Sequence, residues 1–156
     1  MHNLNQLFVF TNSRKIREFN AGFNDELIPK SLSIAEFYKK AVFVNGRFEC
    51  DSTYALVLMN RACASVKEAN SVLKIPTEFF EFLKNNDYLF SFFKELAISK
   101  KSIKEIKFND IYADFEEHLS ILEAVLKEYE SLLDKEDLYD DITLPKIYSI
   151  NEAYIK

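Results

Sequence analysis

The residues nearest to a catalytic set are Asp87 and, eighteen positions on, Glu105-Ile106-Lys107. In nucleases of the Asp…Glu-x-Lys type, two carboxylates hold a divalent ion while the lysine assists the attacking water. That geometry wants the acids on adjacent strands. Asp87 lies between two helical patterns, and Ser-Lys-Lys-Ser-Ile-Lys-Glu-Ile-Lys over 99–107 does not read as a strand. Asp137, Asp140 and Asp141 could suggest a cation site, but the central Gly and terminal Glu of an EF-hand loop are missing, so an acidic loop at a helix end is expected. Cys50 and Cys63 stand 13 apart, and His2 and His118 are remote from both, so no metal-ligand spacing forms and two reduced thiols are expected. His118 reads as a boundary residue beside an apolar stripe. No catalytic set, metal site or cofactor site is expected within the chain.

Composition narrows the classes further. Only two glycines occur among 156 residues, Gly22 and Gly46, so neither a dinucleotide fingerprint nor a phosphate-binding loop can be assembled. A 48% hydrophobic fraction excludes disorder and allows a compact core. The longest apolar run, Ala55–Met59, is far short of a membrane span. The first residues carry no basic-then-apolar leader, and a cytoplasmic location is expected. Charge is uneven. Residues 1–107 hold 16 Lys and Arg against 12 Asp and Glu, whereas residues 108–156 hold 4 against 13. The basic stretches are Lys94–Lys107 and Arg14-Lys15-Ile16-Arg17, both read first as solvated surface, and the acidic last third should repel nucleic acid.

The elements that must position these residues can be read in order. Leu7–Phe10 reads as a buried strand, and Ser13 as the cap of a helix over Arg14–Asn20. Pro29 follows an extended Ile28, and Ser33 with Glu36 forms a capping box for a helix over Ile34–Lys40. Asn45-Gly46 suits a hairpin turn between Ala41–Val44 and Arg47–Cys50, with a loop as the alternative. Asp51 or Ser52 caps a helix to about Ala69 whose stripe is Tyr54, Leu58, Ala62 and Val66. Pro76 opens a helix near Thr77–Lys84, Asn85-Asn86-Asp87 breaks it, and Tyr88–Ile98 resumes it. The block Phe79, Phe80, Phe82, Tyr88, Phe90, Phe92 and Phe93 reads as core or as a docking face. The longest helix, about Asp110 to Asp134, carries Ile111, Phe115, Leu119, Leu122, Leu126, Tyr129 and Leu133. A short extended segment is expected at Ile142–Leu144. The class is therefore α/β and mostly helical, organised as 1–50, a helical subdomain over 51–140 and a return segment over 141–156.

Three segments, in order, resemble AddB-type subunits of the bacterial helicase–nuclease complexes that repair double-strand DNA breaks by recombination. They are Leu7-Phe-Val-Phe-Thr-Asn-Ser-Arg-Lys-Ile-Arg-Glu-Phe19, Leu27-Ile-Pro-Lys-Ser-Leu-Ser-Ile-Ala-Glu-Phe37, and the long helix ending Tyr129-Glu-Ser-Leu-Leu133 with Leu138-Tyr-Asp-Asp-Ile-Thr-Leu-Pro145. The resemblance to this AddB-like or RecB-like family implies a partial RecA-like βα start followed by a helical subdomain, in an inactivated superfamily 1 helicase repeat without its ATP-binding loop. It also implies that two strand-to-helix turns touch single-stranded DNA, mapping onto Thr11, Asn12, Ser13 and Arg14 in the first and Ser33 in the second. Hydroxyls, helix-start N–H groups and an arginine suit phosphate. The expected function is a non-catalytic N-terminal segment of a larger exonuclease subunit, with the rest of its own polypeptide, a helicase partner subunit and single-stranded DNA as partners, and no membrane. The alternative is a free-standing helical adaptor that uses the aromatic block.

Overall fold

The computed structural model describes residues 6–23, 27–84, 87–107 and 115–155. In chain order the elements are β1 (Leu7–Phe10), α1 (Ser13–Asn20), β2 (Lys30–Ser33), α2 (Ile34–Ala41), β3 (Val42–Phe43), β4 (Phe48–Glu49), α3 (Ser52–Ser65) and α4 (Lys67–Ser71). There follow α5 (Phe79–Lys84), α6 (Asp87–Ile98), α7 (Ile103–Lys107), α8 (Glu116–Lys135), β5 (Leu138–Tyr139), α9 (Leu144–Ile147), β6 (Ser149–Ile150) and α10 (Glu152–Ile155). The class is mostly helical with a few short strands. No helix among the described residues is long and apolar enough to cross a membrane. The chain divides into two compact units: residues 1–43 with 148–156, and residues 44–147.

In the first unit β1 and β2 run parallel, with Leu7 opposite Lys30 and Phe10 opposite Ser33. Parallel neighbours need a crossover, and α1 lies in it. Phe19 on α1 gathers the strand aromatics, with ring centroids 5.0 Å from both Phe8 and Phe10 and 5.1 Å from Phe23. The second pair, β3 with β6, is antiparallel, and Asn151 anchors the join by donating its backbone N–H to the Ala41 carbonyl. Two strands are few for a parallel sheet, which is ordinarily covered on both faces. The consequence is visible in β1, where Val9 is exposed and the other three residues are only half-buried, not the fully buried strand that its apolar run predicts. Among the described residues of this unit, Ala41 alone is buried.

The second unit owns a continuous core. On α3 the buried positions are Ala55, Leu58, Met59, Ala62 and Cys63, an i, i+3, i+4 face that packs most extensively on α8. The expected stripe of strict fourfold spacing drifts around a 3.6-residue helix, which is why Tyr54 and Val66 fall at its half-buried margins. The helix also stops at Ser65. Val66 is extended (φ −97°, ψ 99°), the Ser65 hydroxyl donates back to the Ala62 carbonyl, and α4 restarts in a new direction that buries Ala69. On α8 the buried residues are Leu119, Ile121, Val125, Tyr129 and Leu133, while Leu122 and Leu126 are partly buried. Ile121 and Val125 lie off the predicted stripe because α8 meets neighbours on more than one side. Ile111 and the expected start of this helix lie outside the described residues, as does the break at Asn85-Asn86.

Two local expectations are corrected. Gly46 does take a left-handed turn conformation (φ +70°), but no hairpin follows. The segment before it pairs with β6, and the segment after it, β4, pairs in parallel with β5, with Phe48 opposite Leu138. Distant partners outcompete the local one. The extended segment of the return is therefore Leu138–Tyr139; Ile142–Leu144 is a turn entering α9. Asp140 builds that turn. Its Oδ1 accepts the backbone N–H groups of Ile142 (3.1 Å) and Thr143 (3.0 Å) and the Thr143 hydroxyl (3.0 Å), while its Oδ2 accepts the hydroxyl of fully buried Tyr129 at 2.6 Å. Burial and the Asp140 charge push the Tyr129 phenol well above its ordinary range, so it stays a donor at all working pH.

Tyr129→Phe should lower unfolding stability by about 1.5–3 kcal/mol, because it leaves Oδ2 of Asp140 without its partner; urea denaturation with an unchanged slope is the check. A loss below about 0.5 kcal/mol would show that the bond does not hold the turn. Both cysteines are free and buried, and burial pushes the Cys63 thiol up to about 12. A colorimetric thiol reagent at mildly alkaline pH should therefore leave Cys63 unmodified in the native protein and react with it in urea.

Candidate functional site

The parallel register of β1 and β2 decides where the expected contact residues go. Phe10 lies opposite Ser33, so both strands end at one edge, and both lead directly into helices. Thr11, Asn12, Ser13 and Arg14 on one side and Ser33 on the other thus share the carboxyl edge of the sheet. Helix starts carry unpaired N–H groups and a partial positive charge, and ligands of open parallel sheets gather at this edge.

The first turn differs in detail from expectation. Asn12, not Ser13, is the cap. It is extended (φ −157°, ψ 166°), and its side-chain oxygen accepts the Lys15 N–H at 3.0 Å. The Asn12 amide nitrogen donates towards the Thr11 hydroxyl oxygen at 3.5 Å. Ser13 becomes the first helical residue, and its hydroxyl has no partner among the described residues. Glu18 accepts from Arg14 Nε (3.0 Å) and from Lys15 Nζ (2.9 Å), but all three side chains are exposed, so these pairs are weak and exchangeable.

The second turn is already filled. The Ser33 N–H and hydroxyl both donate to Glu36 Oε2 at 2.8 Å, and the Glu36 N–H donates to the Ser33 oxygen at 3.3 Å, the reciprocal box that the spacing predicts. Chiefly the Ser33 backbone N–H, then its hydroxyl, holds the Glu36 carboxyl below its ordinary 4.5. The same device starts α7, where the Ser102 N–H and hydroxyl hold the Glu105 carboxylate at 2.6 and 2.8 Å. Glu105 is thus engaged as a cap, Lys107 is paired with Glu123 at 2.8 Å, and Asp87 is an exposed residue at the start of α6, so among the described residues the nuclease-like trio has no strands to sit on and keeps only one free carboxylate. Asp141 pairs with Lys94, and Asp140 is the turn described above. Asp140-Asp-Ile-Thr143 carries the Asx-turn signal that could have revealed this role. His118 is exposed beside the Phe115 ring, 6.0 Å away between centroids. Among the described residues, no group of three His, Cys, Asp or Glu side chains could hold a metal.

The aromatic block is spent mostly inside the second unit. Phe82 and Phe93 are fully buried, Phe90 and Phe92 pack against the core, and only Phe80 and Tyr88 of the seven are exposed. By charge the two units differ: the first holds seven Lys and Arg against five Asp and Glu, the second thirteen against twenty.

No protein-family model, no curated protein and no solved structure matches this chain.

Asn12→Ala should destabilise by about 1 kcal/mol and Ser13→Ala by no more than about 0.5 kcal/mol, since only the first removes a cap; thermal unfolding of both variants separates them. Glu36, Glu105 and Asp51 all titrate below their ordinary values because backbone N–H groups hold their charged forms. Depressed folded-state values stabilise the fold fully above the unfolded-state values of 4.5 and 3.8, and that stabilisation is lost as pH falls through the folded-state values. A urea midpoint that is flat above pH 5 and falls below about pH 4.5 is the expected profile.

Proposed function

We propose that this chain is the non-catalytic N-terminal part of an AddB-like or RecB-like recombination subunit, and that the carboxyl edge of β1 and β2 contacts the backbone of single-stranded DNA. The observation that carries the reading is the parallel register, with Phe10 opposite Ser33, because it sets two helix starts and Arg14 side by side. The nearly coreless first unit supports the same reading. Val9, Leu27, Ile28, Ile34 and Tyr38 are exposed around a two-stranded sheet, as befits a partial α/β layer that further polypeptide would cover. The role is scaffold and strand contact, with no ATP chemistry assigned to residues that form no phosphate loop.

The two turns contribute unequally. At the first, an entering phosphate finds the free Ser13 hydroxyl and draws Arg14 away from a weak surface pair. At the second, it must compete with Glu36 for the Ser33 donors. Anion binding there is an exchange of one carboxylate for one phosphate.

Fluorescence anisotropy with a labelled oligothymidylate tests both statements. Arg14→Ala should weaken binding and flatten the salt dependence by about 0.7 in log–log slope, the share of one single-strand phosphate contact. Glu36→Gln should strengthen binding, because the competing charge is removed. No binding by the wild-type chain, or affinities unmoved in both variants, would remove this edge as a DNA contact.

A further inference from the structure

Within the second unit, a cleft of about 530 Å³ opens between the end of α6, the segment leading into α7, and the middle of α8. Its floor is core: Phe93, Leu96, Ile103 and Ile142 are buried there, with Leu126 and Pro145 beside them. Its rim is charged, and the two signs are in different states. Every carboxylate of the lining is engaged: Glu105 caps Ser102, Glu123 holds Lys107, and Glu130 holds Lys146. Lys100, Lys101 and Lys127 have no ion-pair partner among the described residues. Lys101 and Lys127 still act on the nearby Glu105 and Glu123 carboxylates, but the lining holds four lysines against three glutamates, and Glu123 is shared with Lys107 from outside it, so the balance at the cleft is positive in a unit whose overall balance is strongly negative.

Lys100 has a further peculiarity. It ends α6 in the left-handed conformation (φ 52°), with its own N–H donating to Ala97 O and the N–H of Lys101 donating to Leu96 O. Glycine is the residue that this closing position favours, and a lysine there bears strain.

We propose that this cleft binds a small amphipathic anion: an aliphatic body seated on the apolar floor, and a carboxylate held by Lys100, Lys101 and Lys127. The volume falls within the range of small-ligand sites. Cationic rim over apolar floor specifies both halves of the ligand. The cleft and the β1–β2 edge belong to different units of the chain.

Decanoate is the probe, titrated calorimetrically into the whole chain, with decan-1-ol and acetate as half-ligands. Saturable 1:1 binding of decanoate is expected, with decan-1-ol about five-fold weaker and acetate silent, and with added salt weakening decanoate alone. Lys101→Gln with Lys127→Gln should weaken decanoate about five-fold and leave decan-1-ol unchanged. Lys100→Gly removes a rim charge where glycine relaxes the backbone, so this variant should unfold at the same or a higher temperature while binding decanoate less well. Absence of saturable decanoate binding, equal affinity for decanoate and decan-1-ol, or lysine variants that bind as the wild type does would each overturn the proposal.

Discussion

Tyr129 reaches the Asp140 carboxylate from the middle of α8, and the rest of the second unit is arranged around that 2.6 Å hydrogen bond. A phenol so deeply placed must find a partner or forfeit its burial. The partner it finds is a carboxylate whose other oxygen is saturated by Ile142 and Thr143, so the chain leaving α8 has one way to turn. That turn drops Ile142 into the core and starts α9. Two residues upstream of it, β5 is brought alongside β4, where the Cys50 N–H donates to the Tyr139 carbonyl at 2.7 Å. The β4–β5 pairing bridges a large sequence separation, and a polar pair at the margin of the apolar core, Tyr129 with the half-buried Asp140, holds the turn beside it. A core of aliphatic side chains alone tolerates many packings; a buried phenol that must reach one satisfied carboxylate admits few.

Charge distribution has a parallel logic. The acidic last third looks, by count, like a region that repels partners. In the fold part of it pairs with cations from earlier in the chain: Asp141 holds Lys94, Glu123 holds Lys107, and Asp134 holds Arg47. The Lys107–Glu123 pair is the least exposed of these and the one with most to lose on separation. The cations outside these pairs stand out: Lys100 and Lys101 at the α6–α7 corner have no ion-pair partner among the described residues, and Arg14 and Lys15 share the single carboxylate of Glu18.

Elements with local signals were legible in the sequence. The Ser33–Glu36 box, the Asp51 cap of α3 and the α6 and α8 helices follow from spacing alone, because caps and amphipathic faces depend on residues within a turn or two. What was illegible was decided at a distance. Asn45-Gly46 is a sound hairpin signal, yet both of its flanks found partners near Leu138 and Ser149. Asn12 outranked Ser13 as a cap because the strand delivers it in extended conformation, a matter of one residue's register. Of the candidate site, sequence order supplied the two turns; only the pairing of β1 with β2 places them at one edge. The cleft could not be foreseen, since which lysines of the basic stretch stay unpaired depends on where α8 lies.

The first unit is assembled from two pieces of chain separated by the entire second unit, and β3 and β6 close that gap. During synthesis, residues 6–43 emerge early but lack the strand at Ser149–Ile150 until more than a hundred further residues have followed. Closing so long a loop in an unfolded chain carries an entropy penalty that grows only with the logarithm of its length, yet it still opposes an element with one buried residue. Folding of the second unit shortens that loop to the distance between its own two ends. Condensation of the helical insert thereby lowers the entropic cost of pairing β3 with β6, and the two-piece first unit gains most from it.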